Sequence, residues 1–592
     1  RAINAPSSPA KSRVSMRSPG NLAYVIPVLI RLRGALDHGA LDAALRAVID
    51  RHAALRTSFP ARDGVPAQVV HPAVDVTIER IDLTDLPVAE RETAASARAR
   101  AIARVPFDLA MGPVLRAATF RLHADEHLML IAVHHIVSDG WSTNLLLTDL
   151  AAGYALARAG GSAPLAPLPA QYTDYASRQR RELTDAVLRE HCARWAERLR
   201  GAPTILELPL DRPRPPVQTF TGAAHRFMVP AEVTGRLRAV CDTNDATLFM
   251  GLLAVFGAVL RRYTGVEDLL VGAPMANRTA MEFEQVIGLF VNTVALRVDC
   301  AGDPTFAELL ARVRGSAIAG YSMQDTPFER LVDHLRLDRD PARSPLTQVL
   351  FAMQYRSGPP LVMDGVEVTG VELDTGTTTS DLVLNMQEVG DELEGFVEYN
   401  ADLFDQATIE RMFTNFATLL ADAVTGADRP LSALRLLAPA EERLVLRDWN
   451  RTEVDWPQST IPELFAAQVA ATPDGVAVVC GDLRLTYRDL DRRADRLARH
   501  LAGLGVGPET LVGLFLERSD HLMVCLLAVL KAGAAYVPLD PDYPADRLAF
   551  MVADSGAALV LTTADLVDLA PPLTVPLCAV DTLDLGAVAG AD

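Results

Sequence analysis

One stretch constrains the fold of this 592-residue chain more than any other. His127-Leu-Met-Leu-Ile-Ala-Val133 is a continuous apolar run bounded by polar residues, the pattern of a strand buried on both faces. It stops at His134-His135, crosses a short loop through Asp139-Gly140 and meets a helical period over residues 145–158, for which Ser142 has the chemistry of an N-cap. A buried strand feeding a helix needs helices layered on a sheet, so an α/β fold is predicted.

Similar texture runs along the chain. Residues 23–33 read as a strand in which Pro27 suits an edge or a bulge. Leu41, Leu45, Val48 and Ile49 mark one face of a helix ending near His52. A strand begins at Arg56, and Asp63-Gly64 makes a turn. The small, Pro-rich residues 160–170 suggest a lobe boundary. Beyond it come strands at 268–272 and 291–298 and a helix over 306–318. Residues 436–460 read as an ordered linker carrying Trp449 and Trp456. After it, helices at 487–504 and 520–531 alternate with strands at 511–516 and 535–539, the βαβ pattern of a parallel sheet. That pattern stops at Asp592 after about one small domain's length, so the last unit reads as truncated.

Composition excludes several classes of function. The net charge of −19 argues against nucleic-acid or anionic-membrane partners. The apolar stretch 248–260 is too short to span a bilayer and reads as a capped, buried helix. The first residues have no apolar signal-peptide core. The six cysteines lie far apart with no CxxC, which excludes a zinc knuckle or disulfide framework and suits a cytoplasmic protein.

The chemistry concentrates at His134-His135-Ile-Val-Ser138-Asp139-Gly140-Trp141-Ser142. Successive strand side chains point to opposite faces, so one histidine can enter a cleft while its neighbour packs behind. An imidazole there can handle a proton or hold a nucleophile. The Asp-Gly turn before a helix aims free backbone N–H groups at any oxyanion formed nearby. A satisfied or metal-binding histidine pair is the structural alternative, but no third metal ligand stands at recognisable spacing.

This stretch resembles the HHxxxDG motif of nonribosomal peptide synthetase condensation domains, relatives of chloramphenicol acetyltransferase. Other segments agree in order. Residues 8–13 resemble the opening motif, with Lys11 where the family prefers Gln and Ser15 at the aromatic position. Arg51-His52-Ala-Ala-Leu-Arg-Thr-Ser-Phe59, Tyr172-Thr-Asp-Tyr-Ala176 and Ile287-Gly-Leu-Phe-Val-Asn-Thr293 match the second, fourth and fifth. Residues 324–329 resemble the sixth, with Met323 in place of the usual His or Asn, and residues 339–346 the seventh. The tail resembles the start of an amino-acid adenylation domain, at residues 485–490 and 530–540. It lacks that family's phosphate loop, so neither ATP/Mg binding nor adenylation is expected of it. For Lys531 the simpler reading is a helix C-terminal cation answering the dipole.

The resemblance implies an N-lobe (1–165) and a C-lobe (166–435) of chloramphenicol-acetyltransferase fold forming a V-shaped pseudo-dimer, then the linker and a partial adenylation domain (461–592). It implies peptide-bond formation between aminoacyl groups on the phosphopantetheine arms of upstream donor and downstream acceptor peptidyl carrier proteins. No tightly bound cofactor is implied, and the rest of an adenylation domain would be a further partner. His135 and Gly140 would be catalytic. His134, Asp139 and Arg278 would be structural, with Asp139 paired to Arg278, and Trp141, Ser142 and Asn292 would line a substrate tunnel. Residues 290–297 and Ser138 resemble the subtype taking an L-configured donor. The other ten histidines are assigned to surface or packing roles. An epimerization domain and a noncatalytic partner-recruiting domain of the same fold are the alternatives.

Overall fold

The computed structural model describes residues 23–62, 64–161, 164–338, 340–354 and 361–584. The opening motif at 8–13 with Ser15, Asp63 of the predicted turn and Arg339 of the seventh motif lie outside the described residues. Contacts divide the chain into Arg1–Asn450 and Arg451–Asp592.

In the first unit the apolar run becomes the strand Glu126–His134, inside a six-stranded sheet. The order is Val362–Met363, Val366–Val371, Val25–Gly34, Glu126–His134, Leu115–His123, Ile78–Asp82, with only the last two parallel. Helices His38–Arg51 and Gly140–Arg158 bury Leu41, Leu45, Leu146 and Leu150 against Met129, Ile131 and Val133 on one face. Helix Val88–Ala103 closes on the other face through Ala95 and Ala99, against Leu128, Leu130 and Phe120. Residues Leu128–Ala132 are fully buried, and each large apolar side chain contributes about 1.5–3 kcal/mol on burial. Pro27 lies opposite Ala132, while the neighbouring strand Val366–Val371 begins to pair only at Leu29. The missing N–H therefore falls where the ladder is one-sided.

The second six-stranded sheet runs Asn292–Asp299, Asp268–Met275, Val349–Gln354, Leu382–Val389, Glu392–Asn400, Gly222–Val229. Its second, third and fourth strands are mutually parallel. Helices Ala231–Thr243, Leu248–Thr264, Phe306–Tyr321 and Gln406–Ala423 contribute to one core against this sheet. The apolar stretch seen in the sequence is helix Leu248–Thr264, capped by the Thr247 hydroxyl. Gly257 lets it close on the sheet, since a Cβ there would lie 2.4 Å from Val298. Among the described residues no single helix is long and apolar enough to cross a membrane. The two sheets exchange chain: Val362–Met363 and Val366–Val371, far beyond residue 165, complete the first sheet.

The connecting stretch is helical rather than irregular, with Pro439–Arg443 running into a π-turn, Leu444–Asp448. Trp449 and Trp456 are exposed, so indole packing does not order it, contrary to the expectation.

In the second unit four parallel strands run Ala535–Leu539, Leu511–Phe515, Leu559–Thr562, Leu577–Ala579. Lys531 does more than answer a dipole. Its Nζ reaches Asp491 and Asp495, each at 2.5 Å, and ties helix Asp520–Lys531 to helix Tyr487–Gly503.

Candidate active site

The helix after the histidine motif starts earlier than its periodicity indicated. Asp139, not Ser142, is the N-cap of helix Gly140–Arg158, and its Oδ1 accepts the Ser142 N–H at 2.8 Å. Gly140 and Trp141 thereby enter the first turn, whose N–H groups have no partner within the helix. Gly140 is exposed, and a Cβ added there would meet nothing within 4 Å. Its amide faces open space.

The two histidines divide as expected. His134 is buried edge-on to Phe107, and its Nδ1 accepts the Ile136 N–H at 3.1 Å. Burial, then the neighbouring His135, pushes it down to about 4, so this ring is neutral. His135 is half-buried where the strand gives way to a tight turn, His135–Val137. Its Nδ1 lies 2.7 Å from the Ser138 carbonyl oxygen. A carbonyl only accepts, so in the neutral ring Nδ1 carries the hydrogen and Nε2 keeps the lone pair.

Asp139 is locked from the opposite side of the chain. Its Oδ2 accepts the Phe290 N–H at 2.9 Å, and Arg278 reaches Oδ1 at 3.3 Å with both side chains almost wholly buried. The same guanidinium donates to the Phe283 and Val286 carbonyls at 2.6 and 2.7 Å and sits 3.9 Å from the Phe290 ring centroid. Arg278 is therefore no solvated surface charge.

Of the three residues assigned to a tunnel wall, two have other duties. Ser142 is fully buried; its hydroxyl donates to the Gly288 carbonyl and accepts from Gly288 N–H and Arg278, which uses its whole hydrogen-bonding capacity. Asn292 spends its amide on the Gln324 and Thr326 carbonyls and the Phe328 N–H, stapling the turn before helix Phe328–Leu335. Trp141 is 42% exposed, and its indole donates to the Glu284 carbonyl at 2.9 Å. It bridges to the 283–290 segment with its ring open to solvent.

His52 completes the clasp, and motif reasoning assigned it no specific partner. It is fully buried, with Nε2 2.7 Å from Asp149 and Nδ1 accepting the Ile287 N–H at 3.3 Å. Arg51 holds the other oxygen of Asp149 at 2.5 Å. Burial lowers the His52 pKa against the opposing pull of Asp149. Three amides of one segment, Ile287, Gly288 and Phe290, are thus each caught by a side chain of the first lobe. Local sequence carries no signal for this, because the partners lie 97 and 235 positions from His52.

Behind Phe283 lies a cavity of about 300 Å³, lined by Tyr175, Asn277, Gln324 and Asp325 among others; His135 does not line it. Among the described residues no group of three or more His, Cys, Asp or Glu could hold a metal ion.

Residues 12–446 match the model of the condensation domain, and residues 465–585 that of the AMP-binding enzyme. The chain belongs to the condensation domain family. This condensation domain is 43% identical over 549 residues to a linear gramicidin synthase of Brevibacillus parabrevis, covering 92% of this chain and 11% of that protein. It is 42% identical to phosphinothricin tripeptide synthetase PhsB of Streptomyces viridochromogenes, covering 92% of this chain and 46% of that protein. The chain thus spans less than half the length of either relative. Its fold is that of a holo four-domain nonribosomal peptide synthetase bound to AMP and glycine, with TM-score 0.84 at 24% identity over 95% of this chain and 43% of that one. The X-domain from teicoplanin biosynthesis is also similar, with TM-score 0.64 at 28% identity over 71% of this chain and 96% of that domain.

Proposed function

We propose that the condensation domain joins two acyl groups delivered on the phosphopantetheine arms of separate carrier proteins. The α-amine of the acceptor attacks the thioester carbon of the donor, the C–S bond breaks, and the amine proton leaves with the donor thiol. The lengthened peptide stays on the downstream carrier.

The observation that carries this reading is the tautomer fixed at His135. With Nδ1 donating to the Ser138 carbonyl, Nε2 is a lone pair available to an attacking amine. An α-amine has a pKa of about 7.7–8, so much of it is already neutral near pH 7.5. Thioesters are activated acyl donors, and aligning two tethered reactants can remove about 7–11 kcal/mol of the barrier. His135 therefore positions the amine and passes its proton on, while the open Gly140 N–H meets the developing oxyanion. Asp139, Arg278 and His134 hold the turn that presents both.

Donor-loaded and acceptor-loaded carriers incubated with the protein should give dipeptide on the downstream carrier, read by mass spectrometry of the released thioester. His135→Ala should abolish it. Scrambling of the donor α-carbon without a new amide would identify an epimerase instead. No reaction from a folded protein that still recruits a partner would identify a scaffold.

A further inference from the structure

His135 has a neighbour across the sheet. The antiparallel register that sets Val25 opposite His134 continues one step through the His135 N–H, which donates to the Tyr24 carbonyl at 2.7 Å. Tyr24 and His135 are therefore directly opposed, and such partners put their β-carbons about 5 Å apart on one face. Along its own chain Tyr24 alternates in step with Val28, Ile30 and Leu32, which pack on the side of helices His38–Arg51 and Gly140–Arg158. Its side chain so belongs to the face on which Gly140 opens the helix.

The surroundings of Tyr24 are unlike those of a surface tyrosine. The residue is 44% exposed, yet burial raises its phenol above the ordinary value, with the Glu329 carboxylate of helix Phe328–Leu335 adding to the effect. Open surface together with a desolvated polar end describes a group lining a recess within the protein. Its hydroxyl makes no hydrogen bond to another described residue.

We propose that Tyr24 is a second substrate-contacting side chain of the His135 site, its hydroxyl donating a hydrogen bond to the carbonyl oxygen of the acyl group under attack. This assignment rests on the condensation reading above. A phenol that resists ionisation is a donor throughout the working pH range. It strengthens its bond as that oxygen gains charge, adding a side-chain donor to the Gly140 amide.

Tyr24→Phe removes only the oxygen. In the carrier-loaded assay it should lower kcat by about 10²-fold with KM for both carriers unchanged, the size of effect seen when one oxyanion donor is lost. A second measurement does not depend on turnover: calorimetric binding of an acyl-pantetheine analogue whose thioester sulfur is replaced by NH. There Tyr24→Phe should weaken binding about fivefold, the scale of one hydrogen bond. A kcat loss with unchanged analogue affinity confines the contact to the oxyanion and still supports the assignment. Wild-type turnover together with wild-type affinity in the variant overturns it. A wild-type protein that makes no peptide, while the variant still loses analogue affinity, defeats the condensation reading and leaves the Tyr24 contact standing. If the wild-type protein neither binds the analogue nor makes peptide, both fall.

Discussion

Arg278 and Asp139 meet at 3.3 Å with neither side chain reaching solvent, though 139 positions of chain separate them. One end of this pair caps the helix that begins at Gly140, and the other grips the carbonyls of the 283–290 segment. The turn presenting His135 is therefore braced from both sides of the cleft, and removing either charge strands the other.

Arg278→Ala should cost about 3–5 kcal/mol, since an uncompensated buried carboxylate is left behind. Urea unfolding of the first unit measures it. A loss under about 1 kcal/mol would show that the pair is not buried in solution.

Gly140→Ala separates packing from chemistry. Nothing lies within 4 Å of the added methyl and the backbone there is not left-handed, so stability should stay within about 0.5 kcal/mol. If the amide serves the oxyanion, the methyl crowds its approach, and kcat should fall about tenfold or more. An unchanged rate would remove Gly140 from the mechanism.

At Gly288 the reverse holds. An added Cβ would lie 2.2 Å from the Tyr172 ring, whose hydroxyl is committed to the Leu289 carbonyl at 2.8 Å. Gly288→Ala should destabilise by about 1–3 kcal/mol through overpacking. Pairing it with Tyr172→Leu should recover part of that loss, a coupling that a double-mutant cycle reads directly.

The depressed pKa of His134 gives a pH dependence with a definite sign. Between about 6.5 unfolded and about 4 folded, the unfolded chain binds the extra proton, so stability rises with pH across that window. The contribution is complete above about pH 6.5, falls away on acidification, and levels off below about pH 4. Its size is on the order of 3 kcal/mol. His134→Asn keeps an acceptor for the Ile136 N–H but cannot titrate, so its stability should lose this slope. Equal slopes in wild type and variant would place the titration elsewhere.

The tautomer of His135 is accessible to long-range proton–nitrogen correlation spectroscopy. Nδ1 should carry the hydrogen and Nε2 should show the shift of an unprotonated ring nitrogen. The opposite assignment would remove the lone pair from the amine's side.

Much of this was legible in sequence. The run 127–133 announced a strand buried on both faces, because continuous hydrophobicity has few other uses at that length. The helices at 41–49, 248–260, 306–318 and 487–504 were visible in their apolar period, as was the parallel alternation after residue 510. Where the reading slipped, the cause is specific. Asp139 and Ser142 both have N-cap chemistry, and choosing between them depends on which one Arg278 and Phe290 occupy from the far lobe. Ser142 and Asn292 resembled tunnel-wall residues because motif position says nothing about which way a side chain faces. Trp449 and Trp456 suggested burial by residue type, yet both stand in solvent.

Local order of residues by itself determined the strands, the helices, the turn after His135 and the family, since each is written in periods of two or three to four residues and in short contiguous motifs. Only the folded chain decided that Ile287, Gly288 and Phe290 would be caught by His52, Ser142 and Asp139, that Ser138 would fix the ring of His135, and that Tyr24 would stand beside it. Those bonds join groups whose separation along the chain carries no period, and they form only when two sheets sharing one stretch of chain bring them within about 3 Å of each other.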